Sequence, residues 1–214
     1  MIIYIIHNPK DIDREPYIDD FIKNIKPHLE FKLKMIWSKT GKELTQEELS
    51  RFKDIPPFTS SLNKIKNASS LNLHHMQCLR DFIQSEDNRC MIVEDDSYIT
   101  SINELIEAIS HTENFDTIYL GEGCQPNIHD NKSRGLIPTS DSRCTECILY
   151  SKEGAAKILD YFDKTQENMN TCCHLDFFFN TAYRQIQNYK NFHYHPAPIK
   201  QATCTGKLKS TIQY

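Results

Sequence analysis

The stretch Cys90-Met91-Ile92-Val93-Glu94-Asp95-Asp96 runs apolar strand formers directly into three consecutive carboxylates. An apolar run this short reads as a buried strand. The carboxylates cannot follow it into a core unpaired, because burying an unpartnered charge is costly. They therefore belong at the strand's carboxyl end, the rim where open α/β sheets bind ligands. Oxygen donors crowded there repel one another unless a cation sits among them. A hard ion, Mn2+ or Mg2+, shared with a substrate's phosphates would do this. Alternation along a strand points Glu94 and Asp96 one way and Asp95 the other. As a rim carboxylate, Asp96 would add little to the core. The competing reading is a solvated acidic turn, and the triplet alone does not choose between them.

The elements that must hold this stretch follow from hydrophobic spacing. Residues 2–6 read as a first strand. Ile18, Phe21, Ile22 and Ile25 recur at helical spacing between Asp11 and Lys26. Phe31 to Trp37 alternates as a half-buried strand, and Trp37, the single tryptophan, is expected in the core. Thr45 and Glu48 form a capping box, as do Ser101 and Glu104. Residues 54–67 read as a loop, and 70–84 as a helix on which His74 and His75 are a packed or solvated pair. Residues 116–120 and 146–150 read as strands. Residues 124–143 read as a long polar loop of the kind that often serves as a lid. Helices follow from Ser151 and over 175–187. The strand at 192–199 carries Pro196 and Pro198, which places it at a sheet edge. Alternating strands and helices predict an α/β sheet, parallel in part.

Length and charge narrow the classes. A chain of 214 residues fits one domain. A net charge of −4 argues against a nucleic-acid partner. No stretch is apolar and long enough to span a bilayer. The opening Met1 to Ile6 lacks a basic region, so it reads as a strand rather than a signal, and a cytoplasmic setting is expected. In a reducing compartment the eight cysteines are thiols. Cys144 and Cys147 make only half a zinc knuckle. Neither G-x-G-x-x-G nor a Walker A loop is present, so a bound nucleotide would need a metal and loop contacts.

Seven segments in order resemble glycosyltransferase family 25, which includes lipooligosaccharide glycosyltransferases and collagen galactosyltransferases. Trp37 to Thr45 resembles "A-x-D-G-x-x-L". Ser70 to Ile83 is loosely similar to the helix "S-H-x-x-x-W-x-x-I". Ile92-Val93-Glu94-Asp95-Asp96 resembles "I-L-E-D-D", and Asp116 to Gly121 resembles "D-x-x-x-L-G". Thr145 to Leu159 is similar to "T-x-A-Y-x-I-S-x-x-G-A-x-K-L-L". His174 to Phe179 resembles "P-V-D-x-F-L". Pro196 to Gln201, with Ser210 later, resembles the closing "P-P-L-x-x-Q…S-x-I". The resemblance covers nearly the whole chain.

The resemblance implies a GT-A-type, Rossmann-like α/β sheet flanked by helices. The donor half would lie at about 1–123 and the acceptor half at about 124–214. It implies an inverting, metal-dependent transfer of galactose or glucose from a UDP-sugar. The acceptor would be a glycan, a lipid-linked saccharide or a hydroxylated protein. Asp96 is then the metal ligand, with Glu94 on the metal, on the donor's ribose or on a metal-bound water. A late histidine, His195 or His193, would complete the metal shell. Asp95 either contacts the donor or makes only structural hydrogen bonds. His7, Asn8 and Trp37 would wall the uracil pocket. Asp176 is the candidate base, and Glu122 the alternative. The opening segment Ile6 to Arg14 carries fewer arginines than the family's "I-N-L-D-R-R-x-D-R". That departure keeps open a catalytically inactive relative acting as a binding module. A metal-dependent phosphotransferase or hydrolase on the same acidic rim is a third reading.

Overall fold

The computed structural model describes residues 1–53, 61–111, 114–121, 133–141 and 144–209. β1 (Ile2–His7) is buried along its length. It is followed by a 3-10 turn at Ile12–Arg14 and by α1 (Glu15–Ile25), where a proline in the first turn suits the helix start. Next come β2 (Lys32–Trp37), a 3-10 turn at Gly41–Glu43, α2 (Gln46–Ser50) and β3 (Phe52–Lys53). α3 (Leu62–Gln84) leads into β4 (Arg89–Glu94), β5 (Ser97–Ile99) and α4 (Ile102–Ser110). β6 (Thr117–Tyr119), β7 (Gly135–Pro138), β8 (Cys147–Ser151), α5 (Lys152–Glu167) and β9 (Thr171–Cys172) follow. α6 (Leu175–Gln185), β10 (Asn191–His195) and β11 (Ile199–Gln201) complete the described chain.

The central sheet has seven strands in the order β2-β1-β4-β8-β6-β10-β7. β8 runs antiparallel to β4 and β6, and β7 antiparallel to β10; the other pairs are parallel. Strand alternation builds a core on each face. Ile2, Tyr4 and Ile6 of β1 join Cys90 and Ile92 of β4 under α3, α5 and α6. Ile3 and Ile5 join Met91 and Val93 under α1 and α4. Two small ribbons, β5 with β11 and β3 with β9, flank the sheet. Among the described residues, no helix is long and apolar enough to cross a membrane.

Four sequence expectations change. The stretch read as a loop over 54–67 contains the start of α3 at Leu62; residues 54–60 lie outside the described set. Its first turns carry Asn63, Lys64, Lys66 and Asn67, so the apolar period is weak until the helix meets the sheet. Trp37 is 61% exposed rather than in the core. It ends an outer strand and projects past the sheet. Within the polar stretch 124–143, residues 135–138 form β7; 122–132 and 142–143 lie outside the described set. β10 is paired on both sides, because Pro196 and Pro198 fall just beyond it and β7 takes the edge.

Gly154, in the first turn of α5, lies against the backbone of Asp116. A Cβ there would come within 2.2 Å of the Asp116 carbonyl oxygen. That oxygen also accepts the Ser151 N–H at 3.0 Å, so it cannot easily retreat. Alanine usually stabilises a helix relative to glycine by about 0.5–1 kcal/mol. Gly154→Ala should instead lower the unfolding free energy by about 1–3 kcal/mol in urea titration, because the backbone must move. Unchanged or higher stability would show that α5 can slide away from β6.

Candidate functional site

β4 delivers its acids to different faces of the sheet. Glu94 continues the side of Cys90 and Ile92, towards α3. Asp95 turns to the opposite side, towards α1. There it meets His7, whose Nδ1 lies 2.9 Å from Asp95 Oδ2, and Arg14, whose guanidinium donates to Asp95 Oδ1. All three are buried. Trp37 pairs with His7 in register, and their ring centroids are 6.0 Å apart.

Glu94 and Asp96 share a different set of partners. The Thr145 hydroxyl donates to Glu94 Oε1 at 2.5 Å. Gln201 Nε2 donates to Glu94 Oε2 at 3.2 Å and to Asp96 Oδ1 at 3.3 Å. The Thr203 hydroxyl donates to Asp96 Oδ2 at 2.6 Å. These partners come from just ahead of β8 and from the closing segment, where β11 pairs with β5. Burial, and then the neighbouring Glu94, push the Asp96 carboxyl up to about 6. Asp96 is therefore a buried, doubly bonded group, 1% exposed, and not the rim carboxylate that the sequence suggested.

A cleft of about 470 Å3 opens at the carboxyl ends of β1, β2 and β4, between α3 and the segment after β1 that carries Asp11 and Arg14. Ile6 and Leu71 give it apolar surface, and Asn8, Asn67 and Ser70 give it polar atoms. Lys10, Lys39 and Lys42 bring positive charge, and Glu94 and Asp95 line the same space. The wall formed by the turn after β2 is fastened to α3. The Lys39 N–H donates to His74 Nε2 at 3.1 Å, so the ring proton sits on Nδ1, 2.6 Å from the Ser70 carbonyl oxygen. Burial lowers the pKa of His74, which keeps the ring neutral and able to accept and donate at once. The Ser70 hydroxyl donates to the Lys39 carbonyl, and the Gly41 N–H to Asn67 Oδ1 at 3.2 Å. Only a glycine fits at 41, because a Cβ would lie 2.5 Å from the backbone of Lys66 and Asn67.

The residues singled out from sequence fall in several places. Asn8, Glu94 and Asp95 line the cleft. His7 and Trp37 stand behind Asp95, outside the lining. Asp96 lies beneath, tied to Gln201 and Thr203. His193 is buried against the Tyr119 ring, 5.0 Å between centroids. His195 ends β10, three strands from β4, roughly 14 Å across the sheet at the usual strand spacing. Asp176 is half-buried in the first turn of α6, where its Oδ1 accepts the Phe177 N–H at 2.9 Å. Glu122 lies outside the described residues. Sequence reading passed over Arg14, Thr145, Gln201 and Thr203. Arg14, Thr145 and Gln201 each fall on a letter of a quoted family motif.

Among the described residues, no three His, Cys, Asp or Glu side chains group to hold a metal. Glu94 and Asp96 nevertheless fit a hard cation as a partial ligand set. They present two carboxylates that share one amide donor, and burial disfavours the ionised form of Asp96. Two carboxylates are enough when substrate oxygens and water supply the remaining positions.

No protein-family model and no curated protein matches the chain. Solved structures do. A glycosyltransferase involved in glycosylation of the major capsid of PBCV-1 aligns at a TM-score of 0.51 and 11% identity, over 94% of this chain and 91% of that one. The fold is of the GT-A type. The galactosyltransferase LgtC, in complex with donor and acceptor sugar analogs, aligns at 0.48 and 8% identity, over 99% and 97% of the two chains. Mouse xyloside xylosyltransferase 1 aligns at 0.42 and 12% identity, over 95% and 84%.

Two outcomes test this arrangement. Arg14→Ala leaves Asp95 buried without its guanidinium and should cost about 3–5 kcal/mol in urea unfolding. Replacing both residues with leucine should recover most of that loss; no recovery would mean Arg14 acts through packing alone. The second concerns pH. The Asp96 pKa is higher folded than unfolded, so between its ordinary 3.8 and about 6 the native state holds the extra proton. Stability of the metal-free protein therefore falls as pH rises through that window. Asp96→Asn should remove a fall of roughly 2–3 kcal/mol between pH 4 and 7. Equal pH slopes for both proteins would show that Asp96 ionises freely.

Proposed function

We propose that the chain is a glycosyltransferase of the family 25 kind, moving a hexose, galactose or glucose, from a UDP-sugar. The acceptor is a hydroxyl of a glycan, a lipid-linked saccharide or a hydroxylated protein, and the setting is cytoplasmic. The observation that carries this reading is the cleft itself. It opens at the carboxyl edge of the parallel strands of a GT-A sheet, where such folds bind ligands, and the acidic stretch reaches it.

Each part of the cleft has work in such a transfer. Ile6 and Leu71 offer apolar surface to a flat base, with Asn8, Asn67 and Ser70 at its edges. Lys10, Lys39 and Lys42 face the charge of a diphosphate. Glu94 and Asp96 would hold the Mn2+ or Mg2+ ion, which when bound supplies Lewis-acid stabilisation to the leaving diphosphate. Asp95 acts indirectly: locked to His7 and Arg14, it fixes the turn that carries its two neighbours. Asp176 or Glu122 takes the proton of the acceptor hydroxyl. Inversion at the sugar carbon follows from the family resemblance.

A second reading, a binding module without turnover, has one observation in its favour. All four oxygens of Glu94 and Asp96 already accept protein donors.

Calorimetric titration with UDP, with and without Mn2+, followed by assay of UDP-galactose and UDP-glucose hydrolysis, separates the readings. Transfer requires Mn2+-strengthened UDP binding together with sugar release. Glu94→Ala should weaken Mn2+-dependent UDP binding by at least about tenfold, one carboxylate ligand being gone. Asp176→Asn should spare UDP binding and slow turnover by about 10²–10⁴-fold. Binding without release favours the module, and no UDP binding under either condition removes both.

A further inference from the structure

The closing segment makes a contact that the cleft does not explain. Gln201 reaches the point where Glu94 and Asp96 converge, with its amide nitrogen 3.2 Å from one carboxylate and 3.3 Å from the other. Two carboxylates turned towards one small positive centre is the arrangement that a shared cation produces. Here a neutral –NH2 takes that position. The carboxylates can only accept, so the NH2 end of the amide faces them, and the Cys204 thiol donates to the amide oxygen at 3.0 Å. A carboxamide carries a donor and an acceptor on one carbon. A half-turn about the Cγ–Cδ bond exchanges them without moving the backbone.

A separate observation on α3 points to the same place. The His75 side chain is fully buried, and neither ring nitrogen makes a hydrogen bond among the described residues. Its Nε2 lies 3.6 Å from Glu94 Oε1, too far for a hydrogen bond. A buried imidazole of this kind calls for a partner that the described residues do not supply.

We propose that Gln201 is a convertible ligand. Without metal its NH2 holds Glu94 and Asp96 together; when a divalent cation enters, the amide turns and its oxygen becomes the third protein ligand. The inference rests on the cation reading given under Proposed function. Amide oxygens are ordinary ligands of hard cations. The turn also withdraws an N–H that would otherwise point at positive charge. Thr145 and Thr203 keep their bonds to Glu94 Oε1 and Asp96 Oδ2, so the carboxylates stay aimed while the amide moves. The role belongs to this residue because β11, paired with β5, carries it over the acidic turn. His195, at the end of β10, is not so placed.

The test uses Mn2+ alone, without nucleotide, on the full chain. Free Mn2+ is counted by its electron paramagnetic resonance signal, and thermal unfolding confirms that each variant is folded. Gln201→Leu should bind Mn2+ at least tenfold more weakly than the wild type. Gln201→Glu, which supplies an oxygen in either orientation, should bind at least as tightly as the wild type. Equal binding by Gln201→Leu and wild type overturns the proposal, as does Gln201→Glu falling to the level of Gln201→Leu. If Gln201→Leu does not fold, Gln201→Glu decides alone, and weaker binding than wild type overturns the proposal. A wild-type chain that takes up no Mn2+, with or without UDP, removes the cation reading and this inference with it. Mn2+ bound equally by all three proteins removes only the role of Gln201.

Discussion

Negative charge at the end of a buried strand is the constraint around which the chain is built. β4 is apolar to its last turn and then releases three acids in succession. A period of two divides them between faces, and the faces solve the problem differently. Asp95 receives an imidazole from the end of β1 and a guanidinium from the segment after it. Glu94 and Asp96 receive only neutral donors, from residues 145, 201 and 203. One side is neutralised and the other is merely solvated by protein. That imbalance sets the two faces of the turn apart, and it explains why distant parts of the chain converge on it.

The cleft beside these acids owes its shape to α3. His74, Ser70 and Asn67 lie on successive turns of that helix and hold the backbone after β2 by its N–H and C=O groups. Hydrogen bonds to the backbone fix a loop more tightly than contacts between side chains, because they leave it few alternative paths. The lysines on the loop, Lys39 and Lys42, are thereby displayed at a set position, with the Lys39 ammonium 3.9 Å from Glu48 Oε1.

Local chemistry made much of the fold legible from sequence. The strands around residues 2–6, 90–94 and 147–151 showed as apolar runs. Ser151 and Thr45 announced their helices by caps that the structure contains. What stayed hidden depended on distance along the chain. The first turns of α3 are polar and are held by packing against the turn at residue 41, which no local period reveals. Trp37 looks like a core residue by type, yet its strand lies at the sheet border. In the acidic stretch, alternation separated Asp95 from its neighbours correctly. Nothing local indicated that Arg14 would neutralise it, 81 residues away, or that Gln201 would bridge the other two. The burial of Asp96 was missed for the same reason, since its cover comes from the end of the chain.

The reversed direction of β8 has a consequence for how such a site diversifies. In a wholly parallel sheet, only the exits of strands open onto the binding edge. Inserting one antiparallel strand between β4 and β6 turns an entrance onto that edge as well, and Thr145 arrives by it. Exchanging Thr145 would change what Glu94 receives at that edge, while the hydrogen-bond ladder behind it keeps its register. Specificity and scaffold are thereby uncoupled along the sequence.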